Sequence, residues 1–314
     1  MAKLAEQQKR RELESGYNAV PAEKKERVRT LNEVSDDYLA QYRLKHRSIL
    51  FAEHAVGHVV RHLGSLMSVE VSERTVTDYQ AKRLKEKAAP KTINEEVGFL
   101  LRLLGDQGDL LRNRLRRTKN LKLKVPGTPG RAFSQAEQEL MLEGARAARS
   151  PFIYPALALA LNTGMRAAEI RNLTWAQVDL EARILTVGRS KTAAGEGRTI
   201  PLNSQVLSAL AEHATWYTKT FHETRPDWYL FPARIGRPSK GAKRPMDPTK
   251  PVTTLKTAWR NVRDEAGIKG RWHDTRHTLI TELCESGAGD QTVMDIAGHV
   301  SRQMLARPKF QALK

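Results

Sequence analysis

Two arginines and two histidines drawn from three distant segments carry the residue types needed to grip one phosphate: Arg166; His273 and Arg276 within Trp272-His273-Asp274-Thr275-Arg276-His277-Thr278; and His299. A guanidinium is a rigid fork of donors that stays charged at any working pH. An imidazole can donate a hydrogen bond or exchange a proton near neutrality. Two such arginines on the non-bridging oxygens of a phosphodiester would offset the charge that builds on phosphorus when it is attacked. Arg166 follows Thr163-Gly164-Met165 at the end of an apolar run, a placement that turns it into a cleft. His273 and Arg276 stand one helical turn apart on one face. His299 follows Gly298 at an expected helix start, a position suited to anions. Glu169 is expected to orient Arg166 or nearby backbone. His273 and His277 have a spacing that can chelate zinc, but no Glu lies between them and Arg276 would repel a cation, so no metal site is expected.

These residues need elements to hold them. Residues 1–29 are charged throughout and read as a helix or a floppy arm. From Thr30 to Asn120 apolar residues recur at three- and four-residue steps, as in Ile49, Ala52, Ala55, Val56, Val59, Val60 and Leu63, which predicts a bundle of about four helices. Arg112, Arg114, Arg116, Arg117, Lys119, Lys122 and Lys124 follow with no acid among them, then the connector Val125-Pro126-Gly127-Thr128-Pro129-Gly130. That basic run reads as a solvated helix end and tether whose place between two domains suits a clamp on phosphates. The domain boundaries are set at 30–120 for the helical domain, 121–130 for the linker and 131–307 for a second domain, with a short tail at 308–314. The second domain opens on the capping box Ser134-Gln135-Ala136-Glu137. A buried helix over 151–161 comes next, then two short strands at 183–187 and 198–202, and a helix over 206–216. Residues 231–252 read as a long basic loop, and helices resume near 255–266, 274–286 and 291–297. The fold class is mainly α with a small antiparallel β-sheet.

The charge balance points to a partner. Fifty-three Lys and Arg against 35 Asp and Glu give +18 over 314 residues, with a pI near 10.1. A polyanion, by default nucleic acid, is the expected partner. A ribosome-associated or RNA-binding basic protein is the bland alternative. The one cysteine, Cys284, allows neither an internal disulfide nor a Cys-based zinc site. No signal peptide and no run of about 18 apolar residues is present, so a cytoplasmic protein without membrane association is expected.

Together, Thr163-Gly164-Met165-Arg166-Ala167-Ala168-Glu169-Ile170, Lys191 in a hairpin, His273-Asp274-Thr275-Arg276-His277 and Ala297-Gly298-His299 resemble the tyrosine recombinase (phage integrase) family. The likeness runs from about residue 131 to 307, and the preceding bundle is similar to that family's core-binding domain. The resemblance implies a helical clamp plus an α+β catalytic domain closing around duplex DNA. It also implies strand cutting and rejoining through a 3′-phosphotyrosine link with no cofactor and no small-molecule substrate, a homotetramer on paired sites, and service to a mobile element. Arg166, Lys191, His273, Arg276 and His299 would be the catalytic set, with Lys191 protonating the departing 5′ oxygen. The family's tyrosine stands nine residues after its last histidine, and here that position is Pro308; the last tyrosine of the chain is Tyr229. By family the chain is a DNA strand transferase, but without this nucleophile it is expected to bind DNA and not cleave it. The alternative is a non-catalytic DNA-binding remnant or regulator that occupies recombination sites.

Overall fold

The computed structural model describes residues 2–17, 28–46, 48–127, 130–188, 196–236 and 244–298. The chain divides into two compact units, Met1–Gly127 and Thr128–Lys314.

In the first unit, α1 (Ala2–Tyr17) precedes α2 (Leu31–Lys45), α3 (Leu50–Leu63), α4 (Glu73–Lys85), α5 (Pro90–Leu103) and α6 (Gly105–Arg117). Residues Ala2–Tyr17 are therefore helical, and α1 is docked by charge rather than apolar area. Its Arg10 is 9% exposed and pairs with Glu33 at 3.2 Å, while Lys9 pairs with Glu70 at 2.8 Å. Thr30 and Glu33 cap α2 reciprocally, which fixes where that helix begins. The core gathers Leu31, Val56, Val59, Ile93, Val97, Leu100 and Leu115 around α5. Inside it, Arg83 grips the buried Glu96 at 2.7 and 2.9 Å, and Tyr79 donates to the same carboxylate at 2.8 Å.

Two sequence expectations are corrected here. The bundle has a fifth packed helix, because α5 stops at Leu103 and the chain turns at Gly105, which takes φ +55° as the first residue of α6. The basic run begins on the last turns of α6, where Leu111 and Leu115 are buried while Arg114, Arg116 and Arg117 are exposed, and continues past the helix end with Lys119, Lys122 and Lys124. The connector also starts later than residue 121. Leu121 and Leu123 pack on the helical core, and Asn94 holds both the N–H and the carbonyl of Leu123 at 2.8 and 2.9 Å.

The second unit is built around α8 (Ile153–Thr163), almost every residue of which is buried. Around it lie α7 (Gln135–Ala147), α10 (Ser204–Phe221) and α12 (Asp274–Glu285), with the short α9 (Ala167–Arg171), α11 (Lys256–Glu265) and α13 (Asp290–Ala297) completing the shell. A three-stranded antiparallel sheet runs β1 (Val178–Asp179), β2 (Ile184–Thr186), β3 (Thr199–Pro201) in that order. Its register pairs Leu185 with Ile200, both buried. The loop expected over 231–252 instead contains β4 (Pro232–Arg234) paired antiparallel with β5 (Met246–Pro251). Pro248 and Pro251 mask this strand in the sequence, and both are tolerated because β5 lies at the edge of a two-stranded sheet.

Candidate active site

Three segments meet at the C-terminal end of α8. Gly164 leaves the helix in the left-handed region at φ +60°, and a Cβ there would stand 2.9 Å from Leu279 Cδ2 and 3.8 Å from Arg276 Cγ. Both constraints demand glycine. Gly164→Ala is expected to destabilise the second unit by about 1–3 kcal/mol. Urea denaturation followed by tryptophan fluorescence measures this, since all five tryptophans lie between Trp175 and Trp272. A variant as stable as the parent would refute it.

Arg276 is 5% exposed. Its Nη1 donates to the Gly164 carbonyl at 2.8 Å and its Nη2 to the Gly298 carbonyl. One guanidinium thus binds the turn before Arg166 to the residue before His299. Arg166, at the start of α9, donates its backbone N–H and Nη1 to the two oxygens of Glu169 at 3.0 and 2.8 Å. Glu169 also accepts from Arg198 Nη2 at 2.8 Å, and Arg198 Nε reaches the Ile296 carbonyl at 3.3 Å. Arg198 escaped the sequence reading: at the head of a short strand it looks like any solvated arginine, and only the tertiary fold buries it.

Charge is concentrated here. Burial, then the neighbouring Arg166 and Arg198 guanidinium groups, push Arg276 down to about 10, against the opposing pull of Glu169. It remains protonated at neutral pH in a pocket where positive charge outweighs negative, the setting an anion relieves. The His273 ring lies edge-on to His277, with centroids 5.2 Å apart. Desolvation first, then His277, Arg276 and Arg166, hold His273 below the usual histidine range despite Asp274. A neutral imidazole can donate from one nitrogen and accept at the other.

Of the sequence-designated residues, Arg166, His273 and Arg276 are brought together. Lys191, His299 and Pro308 lie outside the described residues. Gly298 caps the C-terminal end of α13, and the helix start expected at His299 lies outside the described residues. Among the described residues no group of three His, Cys, Asp or Glu could hold a metal ion. Tyr217 is fully buried, donates to the Tyr229 carbonyl at 3.0 Å, and is raised to about 12 by burial first. It is a structural phenol and not an activated nucleophile.

In the first unit, Arg112, Arg116, Lys119 and Lys122 line a groove of about 990 Å³ together with Lys91 and Arg102, with Glu95 the acid among its lining residues. Arg114, Arg117 and Lys124 are exposed but do not line it. No helix among the described residues is long and apolar enough to cross a membrane.

Comparison with known proteins agrees with this geometry. A sequence profile of the phage integrase family matches residues 134–307. The chain is 27% identical to the integrase of Salmonella phage P22 over 154 residues, 47% of this chain and 36% of that protein. It is 24% identical over 260 residues to a XerC-like tyrosine recombinase of Caldanaerobacter subterraneus subsp. tengcongensis, covering 70% and 62% of the two chains. A third relative, the tyrosine recombinase XerA of Pyrococcus furiosus, is 30% identical over 146 residues, 46% of this chain and 44% of its own. The chain thus spans between 36% and 62% of these relatives' length. In fold it is similar to the Tn1549 transposon integrase in complex with circular intermediate DNA, with TM-score 0.66 and 19% identity, covering 90% of this chain and 98% of that one. It is also similar to a lambda integrase dimer bound to a core site, with TM-score 0.59 and 17% identity, covering 88% and 97%. With a family profile covering more than half of its length and an arginine-rich pocket formed by that same region, the chain belongs to the phage integrase family, the tyrosine recombinases.

Proposed function

We propose that this chain is a site-specific DNA recombinase in architecture, serving a mobile element in the cytoplasm, that binds duplex DNA and presents one scissile phosphate to Arg166, Arg276 and His273, with Lys191 and His299 completing the set. The observation that carries this reading is the meeting of Arg166, at the start of α9, and Arg276, on α12, at the turn that ends α8, close enough for the Arg166 charge to depress Arg276. Two forks of charged donors suit the two non-bridging oxygens, where they would stabilise the pentavalent arrangement as it forms. The neutral His273 adds a donor or takes a proton. The basic groove beside α6 supports sequence-independent gripping of the backbone. The circular intermediate DNA held by the Tn1549 integrase and the core site bound by lambda integrase support the same partner class. A homotetramer on paired sites is the assembly that the lambda integrase tetramer on a Holliday junction suggests.

Cleavage requires a tyrosine oxygen to form a bond to phosphorus while the P–O5′ bond breaks and the 5′ oxygen takes up a proton. A polypeptide of these 314 residues has Pro308 at the position nine after His299 and no tyrosine beyond Tyr229. We therefore propose that it occupies recombination sites without forming the covalent link. That second reading, a DNA-binding regulator, is favoured by the buried, raised phenol of Tyr217, which offers no substitute.

Two measurements on the same protein test these statements. Gel shift at increasing salt should show binding to duplex DNA, preferred over duplex RNA, with an affinity that falls steeply as salt rises. The pair Arg116→Glu and Lys119→Glu should reduce affinity by about tenfold or more and flatten the salt slope by about 2. Nicked suicide duplexes should yield no denaturant-resistant adduct. An adduct overturns the cleavage-defective reading, and duplex binding that ignores salt and the groove variants overturns the groove assignment.

A further inference from the structure

We infer that Arg198 is a positioning residue of the phosphate pocket, holding Glu169, the root of the β2–β3 hairpin and the end of α13 in one arrangement so that Arg166 and Arg276 are aimed before any anion arrives. The inference rests on the reading of this pocket as the phosphate site, and adds to it a residue that does not touch the substrate.

Burial separates the roles of the two arginines on Glu169. The Arg166 side chain is 22% exposed. The Arg198 side chain is 7% exposed and the Glu169 side chain 2%, so Arg198 stands behind the carboxylate. One carboxylate serves both: Oε1 meets Arg166 Nη1 at 2.8 Å, and Oε2 meets Arg198 Nη2 at 2.8 Å. Sharing matters electrostatically. A carboxylate engaged by Arg166 alone would neutralise it more fully and weaken its hold on a phosphate.

The Nε of the same guanidinium reaches the Ile296 carbonyl in the last turn of α13 at 3.3 Å. Two residues on, Gly298 lies against the same guanidinium: a Cβ there would stand 3.0 Å from Arg198 Nη1, and the backbone already has φ +60°. The Gly298 carbonyl is one of the two acceptors of Arg276. A closed circuit results, running Arg166, Glu169, Arg198, the end of α13, Arg276, and back through the Gly164 carbonyl to the turn before Arg166. The backbone of Arg198 also ties β3 to the end of β2, since its carbonyl accepts from the Val187 N–H at 2.9 Å. Arginine suits the task because its planar fork serves two acceptors in fixed directions, which a single ammonium does not reproduce.

The test titrates the full chain and its variants with inorganic phosphate and follows the guanidinium N–H signals of Arg276 and Arg166 by nuclear magnetic resonance. Arg198→Met should weaken phosphate by about tenfold, the equivalent of one charge-assisted hydrogen bond. Arg198→Lys, which keeps the charge but loses the fork, should recover less than half of that loss on a logarithmic scale. The Arg276 signals should shift in both variants before phosphate is added. Phosphate affinity in Arg198→Met within about threefold of the parent, or full rescue by Arg198→Lys, overturns the inference. If Arg198→Met does not fold, Arg198→Lys decides alone: parental affinity and an unmoved Arg276 signal overturn it. Arg166→Ala separates the premise. Parental phosphate binding in that variant sinks the phosphate-site reading itself, whereas its loss with Arg198→Met unaffected sinks only the role of Arg198.

Discussion

Glu169→Gln should cost the second unit about 3 kcal/mol, one of the two largest effects expected of a single change in this protein. The substitution keeps size and shape, so no cavity opens. What it removes is the negative charge between Arg166 and Arg198, in a pocket where burial and those two neighbours already depress Arg276. Breaking a buried pair from one side leaves the partner charge desolvated and uncompensated, and that penalty exceeds the worth of the pair itself. A second signature follows. The unbalanced guanidinium groups should draw an anion, so phosphate or sulfate should restore more stability to the variant than it adds to the parent at equal ionic strength. Urea titrations read by tryptophan fluorescence, in chloride and in sulfate, check both. A loss below about 1 kcal/mol, or an equal response to sulfate in parent and variant, contradicts the account of the pocket as a charge-loaded anion site.

The second large effect is on acid stability and lies away from the pocket. His213 is 3% exposed and sandwiched between the Trp216 ring, 5.2 Å away and nearly parallel, and the Trp175 ring at 6.1 Å. Its Nε2 donates to the Leu230 carbonyl at 2.7 Å. Burial pushes it down to about 4, with the Leu230 hydrogen bond pulling weakly the other way. Above pH 6.5 the ring is neutral in folded and unfolded chains, and the group has no effect on stability. Between pH 6.5 and 4 the unfolded chain binds a proton that the folded chain refuses. Stability therefore falls with pH across that window, by about 3 kcal/mol in all. Carboxylates titrate in the same range, so the contribution is read as a difference. His213→Gln should be less stable than the parent at neutral pH but show a shallower decline toward pH 4. Identical slopes would mean that His213 is protonated in the fold after all.

How far these sites were legible from residues alone differs element by element. The helices α3 and α5 announce themselves because their apolar residues recur at helical spacing and are buried where that spacing puts them. Helix α6 was hidden because four arginines, Arg112, Arg114, Arg116 and Arg117, crowd its last turns and outnumber the two leucines, Leu111 and Leu115, that pack it. Strand β5 was hidden by its prolines, which argue against a strand unless one knows it is an edge. Thr163-Gly164-Met165-Arg166 was readable since a left-handed turn needs glycine wherever it occurs, and that requirement is local.

Arg198 marks the other limit. Nothing within several residues of it states that its guanidinium is buried against a carboxylate from α9 and a carbonyl from α13. From its residues alone this chain determines the type and order of its chemical groups, a net charge that calls for a polyanion, most of its helices, and a proline nine residues after His299, since composition, periodicity and spacing are properties of neighbours along a chain. Tertiary structure alone decided that one glutamate is shared by two arginines, that Arg276 spans two backbone carbonyls, and that the Tyr217 phenol is locked away. Burial and charge coupling act over a few ångströms of space, and they link residues that the chain separates by tens or by more than a hundred positions.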